Sequence, residues 1–209
     1  MLSIVIPAKA PPHAKSRLAT LLSDAERAKL ASGMVVRTLS IAHEAAPAAN
    51  IVLVSNSVEF CDVARRMGAS ALEDDGSSLN GALELAAKAI APGDAMLVLP
   101  TDLPLLSASD INAMTGDGTD CAIAPNRRQD GTNALFWPCS PRIFSFGVGS
   151  FAAHITAATR LGLNLRIVDR PNLAFDLDCP QELFELSCKQ CDLLAMYGVD
   201  GNPLTCPDP

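Results

Sequence analysis

Short apolar runs alternate with amphipathic stretches along most of this chain. Ser3 to Pro7 (SIVIP) has the length and Val/Ile content of a buried parallel strand and stops at a proline. Ser23-Asp24-Ala25-Glu26 is a capping box, and Ala31, Met34/Val35, Leu39 and Ala42 then recur at helical spacing to give one buried face. Asn50 to Ser55 (NIVLVS) reads as the second strand. A helix follows from about Val58 to Met67 and ends at Gly68, where a left-handed cap suits glycine. Ala69 to Leu72 is a weaker third strand. Strand, helix, strand, helix, strand predicts a parallel sheet with right-handed crossovers.

Glu73 to Leu83 is a polar turn entering a helix whose buried stripe is expected to be Leu79, Leu83, Ala86/Ala87 and Ile90. Ala95 to Pro100 (AMLVLP) is the clearest buried strand. Cys121 to Pro125 and Asn133 to Trp137 bracket a polar loop and pair either as a hairpin or as a short antiparallel excursion. A helix running to about Leu161 is capped by Gly162, and Leu163 to Val168 and Asn172 to Asp178 are read as two further strands. Pro180 to Met196 is a last helix with proline in its first turn. The expected architecture is α/β: a mostly parallel sheet with an antiparallel excursion. Residues 1–196 make one domain, and the Gly- and Pro-rich stretch 197–209 is expected to be a disordered tail.

Composition narrows the class of function. At 209 residues the chain is long enough to bury a core without staples, and 49% hydrophobic content comes without any apolar run near the ~20 residues of a membrane span. No membrane association is expected. The first run has no basic leader or small-residue cleavage site, so it reads as a strand and the protein as cytoplasmic. The seven cysteines are scattered, which suits reduced thiols better than a disulfide framework. A net charge of −7 argues against a nucleic-acid partner but leaves room for a small anion bound by local cations.

Those cations follow the first strand: Lys9, Lys15 and Arg17, in a loop stiffened by Pro11 and Pro12. In open α/β sheets ligands collect beyond the carboxyl ends of strands, so this loop is placed to hold a phosphate, though a merely solvated basic loop has the same composition. Asp102 follows the Ala95 to Pro100 strand between two prolines. It is a turn residue or a magnesium ligand, since Mg²⁺ takes one or two carboxylates plus substrate phosphates. Asp176 and Asp178, two apart on an expected strand, face one side; either a divalent cation offsets their repulsion or both carboxylates are solvated at a strand end. Asn80, in a helix's first turn, either reads a base edge or is an ordinary helix-start residue. Gly147, Gly149 and Ser150 lead into a helix N-terminus whose bare amides form an anion seat, or else a flexible turn with Ser150 as N-cap. His154 reads best as a satisfied, half-buried histidine, with an acid or a substrate contact as the alternatives. Cys188-x-x-Cys191 lacks a second ligand pair for zinc and equally describes one helical face. With no P-loop and no G-x-G-x-x-G, the pieces fit metal-assisted nucleotidyl transfer.

P-x-K-x-x-x-x-x-K-S-R-L (Pro7 to Leu18), L-N-x-A-L (Leu79 to Leu83), P-x-D-L-P-L-L (Pro100 to Leu106), G-T-N-A-L (Gly131 to Leu135), F-G-x-G-S-F-x-x-H (Phe146 to His154) and D-L-D-x-P (Asp176 to Pro180) stand in one order. Together they resemble the guanylyltransferases of deazaflavin coenzyme F-420 biosynthesis, over about residues 1–190. The resemblance implies a three-layer α/β/α nucleotidyltransferase fold, transfer of GMP from GTP to 2-phospho-L-lactate, phosphoenolpyruvate or 3-phospho-D-glycerate, and release of pyrophosphate. It further implies Mg²⁺ on Asp102, Asp176 and Asp178. Pro7, Lys9, Lys15 and Arg17 would lie along the nucleotide, Asn80 at the guanine, and Thr132, Gly147 and Ser150 around the phospho-acid. Handoff of a labile product to a downstream transferase is also implied. Cys179 departs from the family, which often has Thr there. The rival readings are a related enzyme acting on a sugar phosphate or molybdopterin, and a non-catalytic nucleotide-binding regulator.

Overall fold

A computed structural model describes residues 1–10, 15–76, 78–190, 194 and 197. Its strands are β1 (Leu2–Ala8), β2 (Asn50–Ser55), β3 (Ser70–Glu73), β4 (Ala95–Val98), β5 (Cys121–Pro125), β6 (Thr132–Trp137) and β7 (Leu165–Ile167). The helices are α1 (Asp24–Ala45), α2 (Val58–Arg66), α3 (Leu79–Lys88), α4 (Ala108–Thr115), α5 (Ser150–Arg160), α6 (Pro171–Ala174) and α7 (Pro180–Lys189). All the strands join one sheet in the order β3-β2-β1-β4-β6-β5-β7. β1 pairs in parallel with both β2 and β4, whereas β6 runs antiparallel to β4 and to β5. The antiparallel excursion is therefore the single strand β6.

Two apolar layers sandwich the sheet. Ile4, Ile6, Leu53, Leu97 and Phe136 face α1, α2, α4 and α6 through Val35, Leu39, Phe60, Ile111 and Leu173. On the other face Val5, Val52, Val98, Ile123 and Trp137 meet α3 and α5 through Leu83, Ala86 and Ala158. Successive residues of β1 thus serve opposite layers, which is why its buried run shows no polar alternation. A third cluster packs α7 onto the start of α1: Leu18, Leu30, Met34, Phe175, Leu177, Leu183 and Leu186. Tyr197 belongs to this cluster and is buried against Gly33, so it is not part of a loose tail; its ring occupies space that only a glycine leaves open. Helix α7 ends at Lys189, and residues 198–209 lie outside the described residues, as do Pro11, Pro12 and most of 191–196, over which the last helix was expected to continue.

The capping box at Ser23 forms as expected, with Glu26 N–H donating to the Ser23 hydroxyl and Ser23 N–H to the Glu26 carboxylate. Several expectations fail for identifiable reasons. Leu79 is 40% exposed, and Ala82 takes its place on the buried stripe, because the helix begins only at Leu79 and turns that side chain toward the cleft. Ser150 is not the N-cap of α5: Gly149, left-handed at φ 74°, caps it. Asn172 to Asp178 is not a strand, since Pro171 opens the short helix α6 and 175–178 has no regular secondary structure, with Phe175 alone given as extended. α4 was not anticipated, although Ser107 and Asp110 form a capping box ahead of buried Ile111 and Met114.

Candidate active site

The chain leaves β1 toward β2 and β3 on one side and resumes at β4 on the other, so the carboxyl ends of β1 and β4 border a topological switch point. A cavity of about 340 Å³ opens there. It is lined by Pro7, Lys9, Lys15, Ser78, Pro100 to Asp102 and Asp178, among others.

Lys15 is the centre of this cleft. Its backbone is left-handed (φ 54°), a conformation that costs a non-glycine residue roughly 1–2 kcal/mol. From there its ammonium reaches Asp178 Oδ1 at 3.1 Å and Asp102 Oδ2 at 3.5 Å. Burial alone would lower its pKa, but the charges of Asp102 and Asp178 more than offset that and raise it, so the ammonium stays charged. Arg17 stands further out, 77% exposed and 4.0 Å from Asp178 Oδ2. Lys9 is exposed at the rim.

Asp102 and the 176–178 segment are joined directly, because Leu177 N–H donates to the Asp102 carbonyl at 2.9 Å. Phe175 and Leu177 are buried while Asp176 and Asp178 are half-buried, so the expected period-2 facing holds without a sheet partner. Burial, then the charges of Asp102 and Asp178, raise the pKa of Asp176, which is the electrostatic signature of three crowded carboxylates. Asn133 donates to the Leu173 carbonyl at 2.9 Å and to Asp176 Oδ1 at 3.4 Å. Glu182 accepts the N–H groups of Asp178 and Cys179 at 2.6 and 2.8 Å, so Cys179 enters only as a helix cap. Both supporting residues were missed from the sequence, although Asn133 lies in G-T-N-A-L and Glu182 follows Pro180 at capping-box spacing. Among the described residues no group of three or more His, Cys, Asp or Glu is arranged to hold a metal ion.

Thr132, Gly147 and Ser150 form a second group. Because β6 runs antiparallel to β4, its first residue Thr132 comes to the same sheet edge as Asp102. Thr132 Oγ1 lies 2.9 Å from His154 Nδ1, and His154 Nε2 accepts Ser145 N–H at 2.9 Å. His154 is fully buried and packs edge-on against Phe146, and burial lowers its pKa to about 4. Gly147 is at φ 133° with open space around it, so the backbone and not crowding demands glycine there. Two amides of α5's first turn are not bare: Ser150 N–H donates to the Gly147 carbonyl and Phe151 N–H to that of Asp130. Asn80 ties the two groups together. Its Oδ1 accepts Phe146 N–H and its Nδ2 donates to the Phe146 carbonyl, so one acceptor site and one donor of this amide are already committed to the backbone.

The five described cysteines, Cys61, Cys121, Cys139, Cys179 and Cys188, are free. Cys191 and Cys206 lie outside the described residues, and the C-x-x-C pair with them. No helix among the described residues is long and apolar enough to cross a membrane.

At the level of fold, the sheet and its switch-point cleft are similar to solved structures of a nucleotide-diphospho-sugar transferase and a nucleotidyl transferase. A candidate nucleotide-diphospho-sugar transferase from Desulfovibrio desulfuricans G20 superposes with a TM-score of 0.71 at 15% identity, over 95% of this chain and 93% of that one. Residues 2–193 match the family described as "Guanylyl transferase CofC like", and the chain belongs to it. A phosphoenolpyruvate guanylyltransferase of Rubrobacter xylanophilus is 40% identical over 188 residues, 87% of this chain and 91% of that protein. A 2-phospho-L-lactate guanylyltransferase of Methanothermobacter thermautotrophicus is 31% identical, covering 87% of this chain and 82% of that protein.

Proposed function

We propose that this protein transfers GMP from GTP to the phosphate of a small phosphorylated carboxylic acid, releasing pyrophosphate, in deazaflavin coenzyme F-420 biosynthesis. Phosphoenolpyruvate is the acceptor we favour, because the relative named for it is more similar than the one named for 2-phospho-L-lactate. The observation that supports the reading most is Lys15 held between Asp102 and Asp178 in the cleft.

A phosphate oxygen of the acid attacks the α-phosphorus of GTP, the α–β bridge breaks, and pyrophosphate departs. The attacking oxygen is already anionic near neutral pH, so no general base is needed. Lys9, Lys15 and Arg17 neutralise the triphosphate and the departing pyrophosphate, with Pro7 shaping the wall beside them. Asp102 and Asp178 already share one cation, and Asp176 adds a third carboxylate beside them. A hard divalent ion that takes one or two carboxylates and completes its shell with phosphate oxygens matches that donor set. Bound Mg²⁺ would supply charge stabilisation at the α-phosphate. Thr132, Gly147 and Ser150 hold the acid, and Asn80 borders both substrates from α3. A diphosphate-bridged product is labile, which favours handoff to the transferase that consumes it.

Pyrophosphate release from GTP and Mg²⁺, measured with each of the three phospho-acids and with none, tests this. Release that requires phosphoenolpyruvate is expected. Equal release without any acid, or none with all three, would overturn the assignment.

A further inference from the structure

The ring of His154 is constrained at both nitrogens. Ser145 N–H donates to Nε2 at 2.9 Å, so Nε2 bears no proton. A neutral ring then carries its proton on Nδ1, which donates to Thr132 Oγ1 at 2.9 Å. The other tautomer, and the imidazolium, would set two donors face to face at Ser145, and a 1% exposed ring has no water to relieve that. Thr132 is itself buried and already accepts one hydrogen bond, which leaves its hydroxyl proton to be given elsewhere.

Resting on the assignment of Thr132 to the acceptor pocket, we propose that His154 is a positioning residue: by donating from Nδ1 it turns the Thr132 hydroxyl into a fixed donor toward an anionic oxygen of the acceptor acid. The same ring pins Ser145, two residues before Gly147, and touches Phe146, so one side chain on α5 is tied both to β6 and to the loop that carries Gly147. A rotor that can no longer choose its direction discriminates against acceptors lacking an anionic group there, because an unpaired buried hydroxyl is costly.

Steady-state pyrophosphate release, with phosphoenolpyruvate and GTP varied separately, is the test. His154→Gln can still accept from Ser145 but offers Thr132 no Nδ1-like donor; it is expected to raise the KM for the acid roughly 10-fold or more, as for losing one aligned hydrogen bond to a charged group, with the KM for GTP unchanged. His154→Asn, whose amide can replace the Nδ1 donor, is expected to stay within about 3-fold of wild type by the same reasoning. Thr132→Val should match His154→Gln, and the double variant should be no worse than Thr132→Val alone, since the two act as one unit. If Thr132→Val leaves the acid KM untouched, the pocket assignment fails. If Thr132→Val raises it while His154→Gln does not, or if the two effects add, only the positioning role fails. Nitrogen-15 NMR of the wild-type histidine rings needs no variant to fold: the Nδ1–H tautomer is expected for His154, and the Nε2–H tautomer or imidazolium at neutral pH would overturn the inference.

Discussion

Asn80 and Phe146 exchange two hydrogen bonds, Phe146 N–H to Oδ1 at 2.9 Å and Nδ2 to the Phe146 carbonyl at 3.1 Å. The first turn of α3, which borders the cleft through Ser78 and Leu79, is thereby fastened to the loop that carries Gly147.

Asn80→Ala is therefore expected to loosen that loop and to raise the KM for the acid about 10-fold, the order of two modest hydrogen bonds lost. The ratio of GTP to ATP use should not change. Measuring both nucleotides in the variant decides the matter, since a collapse of that ratio would put the amide on the base instead.

Asp102→Asn, Asp176→Asn and Asp178→Asn should each lower turnover at least ~100-fold, as expected for losing charge stabilisation in the transition state. Chelation should abolish wild-type activity and added Mg²⁺ restore it. A variant that keeps full activity would remove its residue from the metal site.

Lys15→Met leaves Asp102 and Asp178 facing each other without their shared counter-ion. We expect a loss of roughly 1–2 kcal/mol of stability at neutral pH, limited by the partial exposure of both carboxylates. Adding Mg²⁺ should recover more of the melting temperature in this variant than in wild type. Equal responses would mean that lysine and metal do not compete for the same oxygens.

Asp110 carries a pH dependence remote from the cleft. Burial alone would raise its carboxyl, but hydrogen bonds from Ser107, Asn172 and Arg170 more than offset that and hold it below the usual range. A depressed carboxyl contributes stability that is present above its unfolded pKa of about 4 and is lost as pH falls through the lower folded value. Asp110→Asn should therefore cost roughly 1–3 kcal/mol at pH 7 and progressively less in acid. Urea unfolding across that pH range checks it, and a pH-independent difference would contradict the argument.

Much of this was legible along the chain because the signals are local. A buried strand such as Asn50–Ser55 declares itself by its run of β-branched residues, and the Ser23 capping box by a spacing of three. The segment at Asn172 misled for the same reason: Leu173, Phe175 and Leu177 are apolar at alternate positions, yet Pro171 starts a helical turn and no strand among the described residues pairs with residues 175–178. α4 was overlooked because it is short, although its cap was present in Ser107 and Asp110.

By itself the sequence determined which residue types stand beyond which strands, and therefore that cations and carboxylates would gather at one sheet edge. It determined the family too, through motifs whose order needs no coordinates. Only the tertiary structure decided that Lys15 meets Asp178 across 163 positions, that reversing β6 brings Thr132 beside the cleft, and that Asn80 spends its amide on Phe146. Periodicity and capping depend on neighbours a few residues away, whereas these contacts depend on the order in which strands join the sheet and on the cores that hold α3 and α5 against it and α7 against α1.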